Sequence, residues 1–405
     1  SGSGRTPRLY PSAVATATPA ARTPLWRNIR FLRVLGQAVF VLLLVVVARE
    51  VFLNLEFGVG QQGLDLSFDF LRQRAGFGIG EGIAYSPSGS FLSAFWVAVV
   101  NTIRVAVVGI VLATLLGLVM GVARLSSNWL IRKVAQVYVE VIRNTPVLVQ
   151  IIFWWAAVIL ALPVLKGGWS LGGVAYVSNR GTAVPWFQLE PGAGFWALFL
   201  IAGVLAAALV WQRRTRVAER TGAPARRALW AAATFVAVAV AGFVLTGSPV
   251  EGDVPSVERF AYRGGLQLSP EYTALVLGLA IYTGAFIAEI IRGSVQAVSK
   301  GQKEAAQALG LNPRQQLRLV VLPQALRIAI PPLNSQYLNL TKNSSLALAI
   351  GYPEIVTVSS TIINQAGRAT QMLLLMMTTY LAISLVISVA MNALNRAVTV
   401  RGERR

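Results

Sequence analysis

Several apolar stretches in this chain approach the roughly 20 residues that a helix needs to cross a ~30 Å hydrocarbon core, and no other feature constrains the fold as strongly. Eight candidate spans follow from apolar length and flanking charge, near 34–53, 93–123, 146–165, 194–211, 228–246, 272–291, 325–348 and 371–394. Composition agrees. Of 405 residues, 55% are hydrophobic and 13% charged, where soluble domains carry about 25% charged residues; the mean hydropathy is +0.61. The expected fold class is an all-α polytopic membrane protein with about eight transmembrane helices. The second span is too long for one crossing at 1.5 Å per residue. Its first turns, Phe91 to Asn101, are therefore expected outside the membrane, with Arg104 near the interface.

Charge distribution gives the topology. A net charge of +20 raises nucleic acid as a partner, but no RNA-binding aromatic signature accompanies the arginines. They sort by loop instead. With a cytoplasmic N-terminus and alternating spans, the inside segments collect Arg27, Arg30 and Arg33, then Arg124, Arg132, Lys133 and Arg143. They also hold Arg213, Arg214, Arg216, Arg220, Arg226 and Arg227, then Arg292, Lys300, Lys303, Arg314 and Arg318. Most acids, among them Glu56, Asp69, Glu81, Glu190, Glu251, Asp253 and Glu271, fall outside. This positive-inside bias predicts cytoplasmic N- and C-termini and leaves no role for nucleic acid. Residues 1–33 are read as a cytoplasmic N-terminus, disordered over 1–24; 34–395 form the membrane domain; 396–405 form a basic cytoplasmic tail. The first apolar run lacks a clear small-x-small cleavage site and is read as a retained helix.

The sequence has no cysteine and no histidine, which excludes disulfides, thiolate nucleophiles, zinc sites of the usual type and histidine acid–base catalysis. No paired-carboxylate signature appears, so a membrane enzyme is disfavoured. Gly58-Val-Gly60-Gln-Gln-Gly63 has the G-x-G-x-x-G spacing, but it follows a membrane helix and opens no βαβ unit, so a dinucleotide site is not expected. No G-x-x-x-x-G-K-[ST] loop occurs, so ATP phosphates are not cradled in that way.

The most informative segment follows the sixth span: Lys300-Gly301-Gln302-Lys303-Glu304-Ala305-Ala306-Gln307-Ala308-Leu309-Gly310, with Val320-Val321-Leu322-Pro323 further on. Gln302 to Leu309 is a run of good helix formers. Gly310 suits a left-handed C-cap, and Asn312-Pro313 opens a new segment. A compact helix with Ala305 and Ala306 on part of its surface suits close docking into a groove on another protein. The spacing, E-A-A, three residues, G, nine residues, an aliphatic, one residue, L-P, resembles the EAA loop of ABC importer permeases.

Flanking segments are similar to the polar amino-acid branch of that family. They include Tyr282 to Gly293 with Glu289 and Arg292, Leu322 to Arg327, Lys342-Asn343-Ser344-Ser345-Leu346, and Tyr138 to Pro146, where glycine is commoner than Asn144. The resemblance implies a five-helix type I importer permease core over 93–165 and 272–395. An N-terminal helix precedes it and a loop with a helix pair, 166–271, is inserted, as in the longer permease subunit of general L-amino-acid importers. It further implies that Gly301, Glu304, Ala305, Ala306, Gly310 and Pro323 couple the chain to a separate ATPase.

Asn334, Ser335, Gln336, Asn339, Thr341, Ser344 and Ser345 crowd the seventh span after an expected break at Pro331-Pro332. Polar groups at membrane depth face protein or a water-filled cavity. Asn334, Gln336, Asn339, Ser344 and Ser345, with the ionisable Glu289 and Lys342, are candidates for translocation lining; contact between helices or with a partner permease is the competing reading. Glu289 also has Arg292 one turn away as a simple ion-pair partner, and Lys342 could snorkel at the outer interface. Phe153, Trp154 and Trp155 are read as lipid-facing or core residues before substrate-stacking ones.

The resemblance implies a transport subunit without catalysis or bound cofactor, ATP and Mg²⁺ being used by the partner ATPase. Its implied partners are a second permease chain, two ATP-binding subunits, a substrate-binding protein, an amino-acid substrate and the lipid bilayer of the bacterial inner membrane. The rival is an ion-coupled secondary amino-acid transporter. That rival is expected to show internal repeats with paired broken helices, and the sequence contains no evident repeat.

Overall fold

The computed structural model describes residues 29–61, 67–165, 168–221, 226–258 and 261–398. The expected disordered segment 1–24, Gly63 of the glycine motif and tail residues 399–405 lie outside the described residues. The chain divides into two units, Ser1–Ser67 and Phe68–Arg405. In the first, α1 (Ile29–Gln61) carries the first apolar run as one uninterrupted helix.

The second unit is a helical bundle with a small β layer at one end. Ser90 caps α2 (Phe91–Ala123) by accepting the Ser93 N–H at 3.2 Å, and the helix continues for 33 residues without a break. Asn128 caps α3 (Trp129–Arg143). After Pro146, α4 (Val147–Ile152) passes into a π-helical turn, Phe153–Ile159, closed by Leu160 N–H donating to the Trp155 carbonyl at 2.9 Å. Short strands follow: β1 (Trp169–Leu171), β2 (Ala175–Ser178), β3 (Gly181–Val184) and β4 (Trp186–Leu189). Helices α5 (Ala193–Thr221) and α6 (Arg227–Leu245) form a hairpin. Then come β5 (Val250–Asp253), β6 (Ser256–Val257), β7 (Tyr262–Arg263) and β8 (Leu266–Leu268). The strands pair antiparallel as β1-β2-β3-β8, β4-β5 and β6-β7.

Ser269 and Pro270 start α7 (Pro270–Ala297), which leads through two residues into α8 (Lys300–Ala308). Next are α9 (Pro313–Gln316), a π-helical turn Leu317–Val321, and α10 (Leu322–Asn343). A 3₁₀ segment, Ser344–Ile350, precedes α11 (Ile355–Ala366) and α12 (Ala369–Val398). Among the described residues six helices are long and apolar enough to cross a membrane. The number is eight if two bent pairs each count as one span: α3 with α4, at 105°, and the α9–α10 segment with α11, at 52°. The spans expected near 146–165 and 325–348 are these bent pairs.

The core forms where α2 and α7 cross. Small residues let backbones approach in such a crossing: a Cβ on Gly117 would lie 2.5 Å from Ile287 Cγ2 and 2.9 Å from the Gly284 carbonyl. Around this contact pack Val105, Ala113, Ile151, Leu275, Leu279, Leu340 and Tyr352. The inserted pair α5–α6 is different, since its only buried residues are Gly203, Ala231 and Gly242.

Two sequence readings are corrected here. The helix does not break at Pro331-Pro332, because both prolines lie inside the continuous α10. The interruption comes a dozen residues later, in the 3₁₀ segment that ends at Gly351 with φ +77°. The long stretch after the third span, expected as an inserted loop, also folds into strands. β3 finds its partner β8 across the whole inserted hairpin, with Thr182 opposite Leu268.

Candidate coupling and translocation site

Helix α8 stands at the end of α7 opposite the β layer. Its end has the bonds of a Schellman turn: Leu311 N–H donates to the Ala306 carbonyl at 3.2 Å and Gly310 N–H to the Gln307 carbonyl at 2.9 Å. Gly310 sits at φ +75°, which an L side chain rarely adopts. One residue on, Asn312 and Gln315 form a reciprocal capping box at 2.9 and 3.0 Å, with Pro313 in the first turn. Gln316 Nε2 donates back to the Leu311 carbonyl at 2.7 Å. Consecutive turn motifs thus fix the geometry of the motif's C-terminal half.

The residues of α8 divide between two faces. Ala306 is 3% exposed and turns toward the chain's own body. Glu304 and Ala305 face outward with Gly301 and Gly310. Leu309 is 80% exposed, an apolar side chain at the tip of a polar helix. The expectation that Ala305 and Ala306 share the surface therefore holds for Ala305 alone. Pro323 is half-buried at the start of α10, where Gln324 Nε2 reaches Gln302 Oε1 at 3.4 Å. Nothing within the chain lies within 4 Å of a Cβ on Gly301.

The polar residues of α10 also separate. Ser335, Asn339 and Lys342 are exposed at helical spacing on one side. Gln336 and Ser345 are half-buried, and Asn334 is half-buried with an Oδ1 that has no hydrogen-bond partner. Ser344 is fully buried and donates to the Thr341 carbonyl at 2.8 Å, a contact within the bundle. Lys342 and Ser345 border a largely apolar cavity of about 710 Å³ with Val356, Leu373, Met377 and Tyr380.

Glu289 is elsewhere. Its carboxylate is held by Arg124, the C-cap of α2, and by Arg292, whose Nε donates at 3.0 Å. It borders a separate cavity of about 300 Å³ with Glu140, Arg143, Asn144 and Phe286. The Arg143 guanidinium lies 5.0 Å over the Phe286 ring. The structure therefore does not join Glu289 and Lys342 into one site.

At the β-layer end a network forms that the sequence reading missed. Asn101 Nδ2 donates to the Pro353 carbonyl at 2.9 Å and to the Glu81 carbonyl at 3.2 Å. Thr102 Oγ1 accepts the Ile355 N–H at 3.2 Å. Arg104 pairs with Glu81 at 3.6 Å and lies over Tyr272. Glu354, wholly buried, accepts from Thr357 N–H at 2.8 Å and from Tyr380 OH at 2.9 Å. Glu354 is the N-cap of α11, and since glutamate is not among the residues that usually mark that position, the sequence carried no clear signal for it.

Comparison with known proteins shows what the chain is similar to. The family model for binding-protein-dependent transport system inner membrane components matches residues 228–401. The general L-amino acid transport system permease protein AapQ of Rhizobium johnstonii is 44% identical over 331 residues, 81% of this chain and 82% of that protein. The putative amino-acid ABC transporter permease protein YhdX of Escherichia coli is 42% identical over 393 residues, 96% of this chain and 97% of that protein. The glutamate/glutamine/aspartate/asparagine transport system permease protein BztB of Rhodobacter capsulatus is 38% identical over 410 aligned residues, 92% of this chain and 95% of that protein.

Proposed function

The chain belongs to the family of binding-protein-dependent transport system inner membrane components, and from that premise we propose that it is the amino-acid permease of an ABC importer, driven through α8 by a separate ATPase. The observation that carries the coupling half of this reading is the α8 knob, with Leu309 presented outward on a turn locked by Gly310. An apolar side chain exposed on a rigid tip offers area that a partner surface can bury. Glu304, Ala305 and Gly301 form the rest of the outward surface, while Ala306 and Pro323 anchor the knob to the bundle. The chain itself binds no nucleotide in this reading.

The importer architecture comprises a second permease chain, two ATP-binding subunits at the α8 end and a substrate-binding protein at the β-layer end. In this arrangement the N- and C-termini are cytoplasmic in a bacterial inner membrane. The exposed α10 residues Ser335, Asn339 and Lys342 supply polar lining, and the half-buried Asn334 and Gln336 border it. Amino-acid cargo presents both a carboxylate and an ammonium group, and amide and hydroxyl side chains satisfy both without fixing a net charge.

The test is ATP-driven amino-acid uptake by the assembled transporter in proteoliposomes, with wild type and with Glu304→Lys/Leu309→Asp. Uptake that disappears in the variant while the permease remains inserted supports coupling through α8. Uptake that proceeds without ATP and tolerates the variant would replace this reading by ion-coupled transport.

A further inference from the structure

The inserted hairpin ends, away from the β layer, in a dense group of arginines. Arg213, Arg214, Arg216 and Arg220 close α5, and Arg226 and Arg227 open α6. Glu219 is the one acid between residues 194 and 250, and among the described residues no carboxylate pairs with any of the six. Elsewhere at this end of the bundle three arginines are engaged within the chain: Arg124 and Arg292 hold Glu289, and Arg132 donates to the Ser126 carbonyl at 3.0 Å. Arg213, Arg216 and Arg220 follow the i, i+3, i+7 spacing and form one exposed stripe on α5. Arg226 and Arg227 sit at the N-terminus of α6, where the helix dipole disfavours positive charge. Such a self-repelling collar calls for anions from outside the chain.

Two tryptophans fix its depth. Arg214 lies 4.6 Å over Trp230, and Arg227 lies 5.2 Å over Trp211, so each helix of the hairpin holds an arginine of the other by a cation–π contact. Both indoles are partly exposed, a position tryptophan favours at the membrane–water boundary. Directly toward the middle of the hairpin the exposed side chains are apolar, Leu205 and Leu209 on α5 and Val236 on α6. With almost nothing on the hairpin buried, the collar is continuous with a surface that lipid chains cover.

We infer that the arginine collar of α5 and α6 is a docking surface for anionic phospholipid headgroups, which it draws from the surrounding leaflet in preference to zwitterionic lipid. Each phosphodiester supplies the anion that the arginines lack, Arg213, Arg216 and Arg220 matching it with planar donor pairs, while the acyl chains lie along the apolar sides of the hairpin. The inserted helix pair then works as a lipid-specific anchor beside the permease core.

Because the protein has no cysteine, a Gln212→Cys variant labelled with bimane before it is assembled with its partner chains carries the label at this place alone. The assembled transporter is reconstituted in phosphatidylcholine vesicles containing one-fifth phosphatidylglycerol, with brominated chains carried either by the minor lipid or by an equal share of the major one. Quenching by the brominated anionic lipid is expected to exceed that by the zwitterionic one about fivefold. The preference should disappear in Arg213→Gln/Arg216→Gln/Arg220→Gln/Arg226→Gln and be reduced but not lost when the same four positions are lysine, which keeps the charge without the planar donor pairs. Equal quenching by the two lipids in the Gln212→Cys parent overturns the proposal whether or not the glutamine variant inserts. Protection of the label by the ATPase subunits without any lipid preference overturns it too, in favour of a protein partner.

Discussion

Replacing Gly310 separates two reasons for a glycine in the coupling motif. The residue lies at φ +75°, yet a Cβ there would meet no atom of the chain within 4 Å. The cost of alanine is therefore conformational, about 1–2 kcal/mol for the left-handed backbone. Asparagine, which tolerates this region, should cost less, and β-branched valine more. The loss falls on the two bonds of the turn, Leu311 N–H to Ala306 and Gly310 N–H to Gln307. At about 1.4 kcal/mol per tenfold change, alanine shifts the ratio of locked to unlocked α8 termini about 5- to 30-fold. ATP-driven uptake in proteoliposomes should fall in the order Gly, Asn, Ala, Val at constant complex assembly, judged by size-exclusion chromatography. Full activity for alanine together with a dead asparagine variant would refute the backbone argument and put the requirement in contact with the partner.

Other substitutions probe other parts. Gly117→Val should drive α2 from α7, since its Cβ would lie 2.5 Å from Ile287; overpacking of about 1–3 kcal/mol should lower the folded fraction in membranes, while Gly293→Ala, with open space, should not. Asn101→Ala leaves the Glu81 and Pro353 carbonyls without their donor, and a loss of about 1–3 kcal/mol should lower the thermal midpoint in detergent. Asn101→Asp should fare no better, because a carboxylate donates nothing to a carbonyl. Asn339→Ala should raise the KM for uptake with assembly intact, whereas Ser344→Ala should reduce thermal stability and leave KM unchanged.

Elements governed by local chemistry were legible in the sequence. The apolar runs gave the spans, and Gly310 with Asn312-Pro313 gave the end of α8 and the next start. Elements governed by distant partners were not. β3 is four residues whose register depends on β8, more than eighty positions later, and no local pattern encodes that pairing. Pro331-Pro332 looked like a break because proline removes a donor and crowds the preceding turn. In α10 the ladder resumes on both sides, and the interruption falls where Gly351 permits a left-handed turn before Pro353. The candidate lining was legible as composition but not as direction: nothing local distinguishes inward Ser344 from outward Asn339. Glu289 was paired with Arg292 from spacing, but its second partner, Arg124, caps another helix.

The two-residue joint between α7 and α8 makes α7 a lever. Its 28 residues form a rod about 42 Å long, footed on the β layer, where Glu81 accepts the Ser269 N–H. If α8 is held fast by a partner and the rod tilts by about 5°, simple trigonometry moves the far end by about 4 Å, comparable to the size of a small side chain. Val298 and Ser299 are the residues between the two helices, so stiffness at this joint sets how much of a push at one face of the membrane arrives at the other. Lengthening it by two glycines should leave both ends folded and the stroke between them lost.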